Sequence, residues 1–432
     1  MSWSGPPNAS TWIADPRNKL HRASTIGTLS SIKAILSSGS IDINQRDPDG
    51  CTPALIAAER GSALIVRLLM DNGADVSIPA KDGITPLISS AQNGHLAVVK
   101  TLLTGNANLQ AACEGYTALH VAASNGRPKV LKALLEAGAD RNSRMPNGVT
   151  PLYLASMAGE LEAVRVLLRA RADPLLARAI SSWERGIPLD VAAQSGHTEV
   201  VREFIQLLGV RACGGESGGV EAYRLAARFR QLGIMHMLAD AGVEDTGPAL
   251  SSAAAYGSLA ELKFLFRQQE ELTHDYLNNR DHSNRTPVYN SVSFCSPNSP
   301  RVLRALIDAG ANTTAPIEVV NDGWQVVSRH TPLAIVKLYL REKKVKGEVA
   351  TEAQLHRLKA MRRLLLQVDA VHAVSWLWPR AAPVTAARGA KGASKVETTP
   401  TPLTNMLPIW RRRARRRCVS AAAVFRYNGK KK

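Results

Sequence analysis

The sequence predicts an all-α solenoid built from stacked helix-turn-helix units, on three observations. First, a short pattern returns at a fixed spacing: Asp49-Gly50-Cys51-Thr52-Pro53, Asp82-Gly83-Ile84-Thr85-Pro86, Glu114-Gly115-Tyr116-Thr117-Ala118 and Asn147-Gly148-Val149-Thr150-Pro151 lie 33, 32 and 33 residues apart. A period of that length marks an array whose repeating element is one supersecondary unit. Second, each period carries the same features in order: an Ala-rich pair, a Gly, two apolar pairs, then Gly-Ala-Asp or a variant. Third, aromatic residues are only 5% of the chain against 45% hydrophobic residues in all, which leaves the core to Ala, Leu, Val and Ile. Small side chains suit closely packed helices.

Each element has a local cause. Thr52, Thr85 and Thr150 cap a helix through the side-chain oxygen, and the following Pro suits the first helical position, where no amide donor is needed. Ala57-Ala58, Ala122-Ala123 and Ala192-Ala193 give this first helix a low-profile surface that lets a second helix approach. Gly61, Gly94, Gly126, Gly159 and Gly196 end it. The second helix carries Val98-Val99 with Leu102-Leu103, or Ala163-Val164 with Leu167-Leu168, whose spacing makes one apolar stripe. Gly73 and Gly138 close the second helix, and Asn106 and Arg171 stand at the same point in their own units, so these two are expected to share its left-handed backbone. A single helix pair cannot bury its own stripe, so neighbours must stack.

These residues resemble the ankyrin repeat: Asp-Gly-x-Thr-Pro-Leu-His at the start, Ala-Ala-x-x-Gly-His in the middle and Leu-Leu-x-x-Gly-Ala-Asp at the end, with Gly115 to Asn142 the best single copy. The resemblance implies an elongated, slightly curved stack with β-hairpin tips along one edge.

The remaining chain divides around this block. Residues 1–14 are expected to be disordered, and 15–213 to hold an entry unit (Asn18 to Asn44) and five strong repeats, the last with Pro188-Leu189, Ala192-Ala193 and Gly196-His197. Gly214 to Gly219 reads as a loop, either a hinge or a plain surface insertion. Residues 220–370 hold degenerate copies marked by Ala226-Ala227, Ala253-Ala254 and Thr286-Pro287, then a last one that begins at Thr331-Pro332, is interrupted by charged Arg341 to Lys359, and resumes at Met361. The total is about ten units. Residues 371–432 form a basic tail, expected to be disordered because its composition cannot bury a core.

The formal charge of +18 is concentrated in that tail, which holds nine Arg and five Lys against the single Glu397. Within it Arg411, Arg412, Arg413, Arg415, Arg416 and Arg417 read as a nuclear-import signal, a polyanion contact or a solvated charge run. The N-terminus has no basic region followed by an apolar stretch, and no run approaches the roughly 20 residues that span a bilayer. The expectation is a cytoplasmic protein without a membrane span, entering the nucleus if the cluster is an import signal.

No catalytic, cofactor-binding or metal-binding residue is assigned. The five cysteines include no Cys-x-x-Cys pair, no His-Glu-x-x-His occurs, and Gly389-Ala390-Lys391-Gly392 lacks the spacing of a phosphate loop. His95, His120 and His197 are read as hydrogen-bonding between repeats, with Asp190 standing in the place of His120 in its own unit. Asp75, Asp140 and Asp173 are read as turn formers.

The family resemblance implies a non-catalytic scaffold for a protein partner, with no small-molecule substrate. Carried over position by position, it points to Arg46, Asp49, Lys81, Asp82, Ile84, Glu114, Tyr116, Arg144, Asn147, Trp183 and Glu184 at tips. On first helices it points to Glu59, Arg60, Gln92, Asn93, Ser124, Asn125, Met157 and Gln194. Tyr116 and Trp183 are the expected anchors, replaceable with little loss of stability. The alternative is nucleic-acid binding through the tail alone, with the repeats positioning it.

Overall fold

The computed structural model describes residues 18–369, apart from 27, 39–40, 177, 180–184, 210–217, 246, 270–271, 282–283, 321–325, 343 and 346–347. Residues 1–14, Trp183, Glu184, residues 214–217 of the Gly-rich loop and the basic tail, including its arginine cluster, lie outside the described residues.

Ten helix pairs follow one another among the described residues. Units 1 to 3 are α1 (Lys19–Ile26) with α2 (Leu29–Ser37), α3 (Pro53–Glu59) with α4 (Ala63–Asp71), and α5 (Pro86–Asn93) with α6 (Leu96–Thr104). Units 4 to 6 are α7 (Ala118–Ser124) with α8 (Pro128–Glu136), α9 (Pro151–Ala158) with α10 (Leu161–Arg169), and α11 (Pro188–Ser195) with α12 (Thr198–Leu208). Units 7 and 8 are α13 (Val220–Arg228) with α14 (Leu232–Asp240), and α15 (Pro248–Tyr256) with α16 (Leu259–Gln268). A single helical turn, α17 (His274–Leu277), precedes unit 9, which is α18 (Pro287–Ser293) with α19 (Ser299–Asp308). Unit 10 is α20 (Pro332–Glu342) with α21 (Glu352–Asp369).

The first helices start where the Thr residues predict. Thr52, Thr85, Thr150 and Thr286 each accept a hydrogen bond from the amide three residues on, at 3.2 to 3.3 Å, and Pro occupies the first turn. Gly94, Gly159 and Gly196 then take the left-handed conformation that ends the helix. Asn106 and Arg171, at φ 55° and 59°, share the positive φ of Gly73 and Gly138.

Packing makes the array one body of core. First helix lies on first helix and second on second from unit 1 to unit 10, and a single apolar cluster runs from Leu20 to Leu365. Ala57, Ala58, Ala122, Ala123, Ala192, Ala193, Ala226 and Ala227 are wholly buried, so the first helices meet through methyl groups. Val98, Val99 and Leu102 of α6, and Val164 and Leu167 of α10, fill the space beneath. Removing one such leucine side chain costs about 2–5 kcal/mol. The stack continues across residues 210–217, with α11 against α13 and α12 against α14.

Strands are confined to four antiparallel hairpins among the described residues. Ala112–Cys113 pairs with Tyr116–Thr117, Arg178–Ala179 with Arg185–Gly186, Ile317–Val320 with Val326–His330, and Lys344–Val345 with Glu348–Val349. The second helix of unit 10 begins at Glu352, not at Met361 as the apolar pattern suggests. The cause is a capping box: Gln354 N donates to Thr351 Oγ1 (3.3 Å) while Thr351 N donates to Gln354 Oε1 (2.8 Å).

Candidate functional site

The tips of units 2, 3 and 5 are tight turns held by their own acidic or amide side chains, and the tip of unit 4 is the Ala112–Cys113/Tyr116–Thr117 hairpin. Asp47 Oδ1 accepts from the amides of Asp49 (2.9 Å) and Cys51 (2.7 Å), Asp82 Oδ1 from Ile84 (3.2 Å), and Asn147 Oδ1 from Val149 (3.2 Å). Neighbouring tips are joined: Lys81 N donates to the Asp49 carbonyl (3.0 Å), Arg46 Nη2 to the Pro79 carbonyl (2.7 Å), and Cys113 Sγ to the Asp82 carbonyl (2.6 Å). Gly115 sits so close to Pro146 of the next tip that a Cβ there would lie 2.7 Å from Pro146 Cδ. Arg46, Asp49, Lys81, Asp82, Glu114, Arg144 and Asn147 therefore form one row of mixed charge, with Arg46, Asp49, Lys81, Glu114 and Arg144 exposed.

The first-helix ends form a second row. Arg60 and Asn93 are exposed there, and Glu59, Gln92, Asn125, Met157 and Gln194 are half-buried. Four of the expected contact residues are less available than the family pattern implies. Ser124 is buried, and Ile84, Tyr116 and Met157 are half-buried against the apolar clusters. Tyr116 packs against the cluster of Met145, Val149 and Tyr153 and stands edge-on to His120 at 6.5 Å, so its replacement is expected to cost stability. Trp183 and Glu184 lie outside the described residues.

The histidines tie units together. His21 and His120 donate through Nε2 to the carbonyls of Cys51 (3.2 Å) and Val149 (3.3 Å), in the following unit. His95 and His197 reach back to the carbonyls of Glu59 and Met157, each at 3.0 Å. His120 Nδ1 also accepts from Thr117 at the helix start, and burial pulls its pKa down to about 4, so the ring is neutral. Asp190 does the same capping work from the equivalent position, accepting from Ile187 N at 3.1 Å, and burial pushes its pKa up to about 7. Asp75, Asp140 and Asp173 each accept from the amide two residues on, at 2.8 to 2.9 Å, as turn formers.

Two features escape the sequence pattern. Asp245, buried, caps α15 by accepting from Gly247, Ala249 and Leu250 amides (3.0 to 3.1 Å) and from the Tyr276 hydroxyl (3.0 Å). Unit 8 has Gly247 where units 2 to 5 have Thr, and Asp245 supplies the missing acceptor. The second is a row of aromatic residues at the first-helix ends of units 7 to 9, Phe229, Tyr256 and Phe294. Among the described residues, no group of three or more His, Cys, Asp or Glu side chains could hold a metal ion, and no helix is long and apolar enough to cross a membrane.

A stack of short helix pairs that presents hydrogen-bonded turn tips in a row defines a helical-repeat protein whose exposed residues are free to vary on a constant frame. The family model for ankyrin repeats in three copies matches residues 20–111 and 105–178. Residues 20–178 of the chain carry ankyrin repeats. Ankyrin repeats generally mediate protein–protein interaction and are typically non-catalytic.

Proposed function

We propose that the chain is a non-catalytic scaffold that binds a protein partner across the tips and first-helix ends of units 2 to 6. The observation that carries this reading is the contrast between frame and row. Caps, Ala pairs and helix-ending Gly residues repeat from unit to unit, while the row reads Arg46 and Asp49, Lys81 and Asp82, Glu114, then Arg144 and Asn147. A partner spanning consecutive tips meets a different set of charges at each, which is how a constant scaffold acquires specificity.

The test is affinity capture with the full chain, identification of the captured protein, and titration of that protein against variants. Asp49→Ala and Lys81→Ala are each expected to weaken binding, and the pair by at least about tenfold, equivalent to roughly 1.4 kcal/mol. Lys100→Ala, on the exposed face of α6, should do little. Binding that ignores the tip changes but disappears when Arg411 to Arg413 and Arg415 to Arg417 become Ala would move recognition to the tail. The same tail variant, as a fluorescent fusion, tests the expected cytoplasmic location: a shift out of the nucleus would identify the cluster as an import signal.

A further inference from the structure

In units 2 to 6 the residue just before the turn that ends the first helix is Arg60, Asn93, Asn125, Ala158 or Ser195. In units 7 to 9 the same position is aromatic: Phe229, Tyr256 and Phe294 each directly precede a residue at positive φ, namely Arg230, Gly257 and Cys295. Because first helix packs on first helix, these side chains come into register across three units. The Tyr256 and Phe294 rings stand 5.4 Å apart, tilted by 48°. The Arg228 guanidinium lies 4.6 Å from the Tyr256 ring centre and 5.3 Å from that of Phe229. Phe229 is 38% exposed.

Among the described residues, the contacts that hold the Arg228 guanidinium are ring faces. It makes no ion pair with a described residue, and its Nε, shielded from solvent, has no hydrogen-bond acceptor there. A guanidinium stacked on aromatic rings leaves its edge to a carboxylate, and with Nε shielded the Nη groups are the donors left for a partner. Beside it, Arg230 donates through Nη2 to the Tyr256 carbonyl (3.2 Å) and helps to line a hollow of about 430 Å³ with Lys263, Glu261, Gly257 and Asn298. The hollow carries two cations against one carboxylate.

We infer that the first-helix ends of units 7 to 9 form a second docking surface, which takes an acidic, apolar segment of a protein partner: a carboxylate on Arg228, with apolar side chains along Phe229, Tyr256 and Phe294. Charge complementarity selects the occupant. The chain's own tail, with nine Arg and five Lys against one Glu, is repelled by Arg228 and Arg230. Single-stranded nucleic acid needs free ring faces for its bases. Arg228 covers the Tyr256 ring, and Tyr256 and Phe294 lean on each other. This surface shares with the proposed function only the premise that the chain binds protein, and it uses different residues.

The test pans a random phage-displayed peptide library on the full chain, counter-selects on Arg228→Gln, and measures the enriched peptides with a fluorescein label by polarisation. The expected peptides carry Asp or Glu beside Leu, Ile or Phe. Arg228→Gln, Tyr256→Leu and Phe229→Ser should each weaken them at least about tenfold, with Arg228→Lys also weakened because an ammonium does not stack as a planar fork. Phe229→Ser changes an exposed side chain, so it carries the test if either of the other two melts early. Failure to enrich any acidic peptide overturns the inference. So do peptides that lose affinity with Asp49→Ala and Lys81→Ala but not with Arg228→Gln, a result that would leave the tip surface standing. An oligo-dT probe that binds the full chain and is lost with Arg228→Gln would also overturn it, by assigning the row to nucleic acid.

Discussion

Arg171→Gly should make the protein more stable. Arg171 lies two residues past the end of α10, at φ 59°, the point where Gly73 and Gly138 close their own second helices. At Gly138 an added Cβ would meet nothing within 4 Å, so conformation alone, not space, favours glycine there. A side chain in the left-handed region costs about 1–2 kcal/mol, and the extra freedom that glycine brings to the unfolded chain returns roughly 0.5–1 kcal/mol of that. The net gain is therefore about 0.5–1 kcal/mol. Little else changes, because the contacts that Arg171 makes are backbone ones: its amide donates to the Leu168 carbonyl (2.9 Å) and its carbonyl accepts from Arg141 Nε (3.1 Å). Asn106→Gly should gain less, since Asn tolerates positive φ better than Arg does. Gly138→Ala should lose about the same amount as Arg171→Gly gains. Gly159→Ala should lose more, because its Cβ would lie 2.4 Å from His197 Nδ1, on a ring fixed by its bond to Met157. Urea denaturation followed by far-ultraviolet circular dichroism reads all four as shifts of midpoint at constant slope. A midpoint for Arg171→Gly at or below that of the parent, or a rise for Gly138→Ala, would refute the conformational argument.

Thr150→Ala removes the acceptor for Tyr153 N (3.2 Å) and should cost about 1 kcal/mol in the same urea titration. Asp190 has a folded pKa raised by burial to about 7, so its contribution to stability is full below the unfolded value near 4 and is lost as pH rises towards 7. Asp190→Asn should therefore gain on the parent by up to about 4 kcal/mol between pH 4 and 7, read as a pH series of melting temperatures. His120, held neutral by burial with a pKa pulled down to about 4, works in the opposite sense: its contribution is present above pH 6.5 and falls away between 6.5 and 4, so His120→Gln should flatten acid destabilisation. Tyr116→Ala should lower the melting temperature, because the ring packs against Met145, Val149 and Tyr153, and a variant that melts like the parent would mean that the ring is free for a partner after all.

What the sequence made legible was local. Thr52, Thr85 and Thr150 act within three residues of themselves, and the Gly residues act at their own φ, so a 33-residue comparison finds them without any tertiary information. The ten-unit stack follows from those positions. The aromatic row did not emerge, because the markers that set the register fail at different points in units 7 to 9: unit 7 lacks both the Thr cap and the helix-ending Gly, unit 8 lacks the Thr, and unit 9 lacks the Gly. Unit 7 has Gly219 and unit 8 Gly247 in place of the capping Thr, α15 is one residue longer than α5, and Arg230 and Cys295 replace the helix-ending Gly. Without an aligned register, Phe229, Tyr256 and Phe294 are three unrelated aromatics. The signal for the start of α21 was present, since Thr351-Glu352-Ala353-Gln354 has the capping-box spacing, but the charged run around it reads as loop. At the tips, the pattern identified which residues sit in the row but not how far each is buried, which depends on neighbours one unit away.

Arg230 joins the two halves of this reasoning and separates framework from function. It stands where Gly61 and Gly94 stand in their units, at φ 62°, so as a framework residue it is a defect of about 1 kcal/mol. Strained residues of this kind persist where something else is gained, and here the side chain reaches the next unit to hold the Tyr256 carbonyl and to line the cationic hollow. Arg230→Gly should therefore split the two properties. The urea midpoint should rise or hold, since relief of φ offsets the lost exposed hydrogen bond, while affinity for an acidic peptide selected on the parent should fall by at least about threefold, equal to roughly 0.7 kcal/mol. If affinity is unchanged while stability rises, Arg230 is an uncompensated departure from the repeat. The cation that matters would then be Arg228 alone.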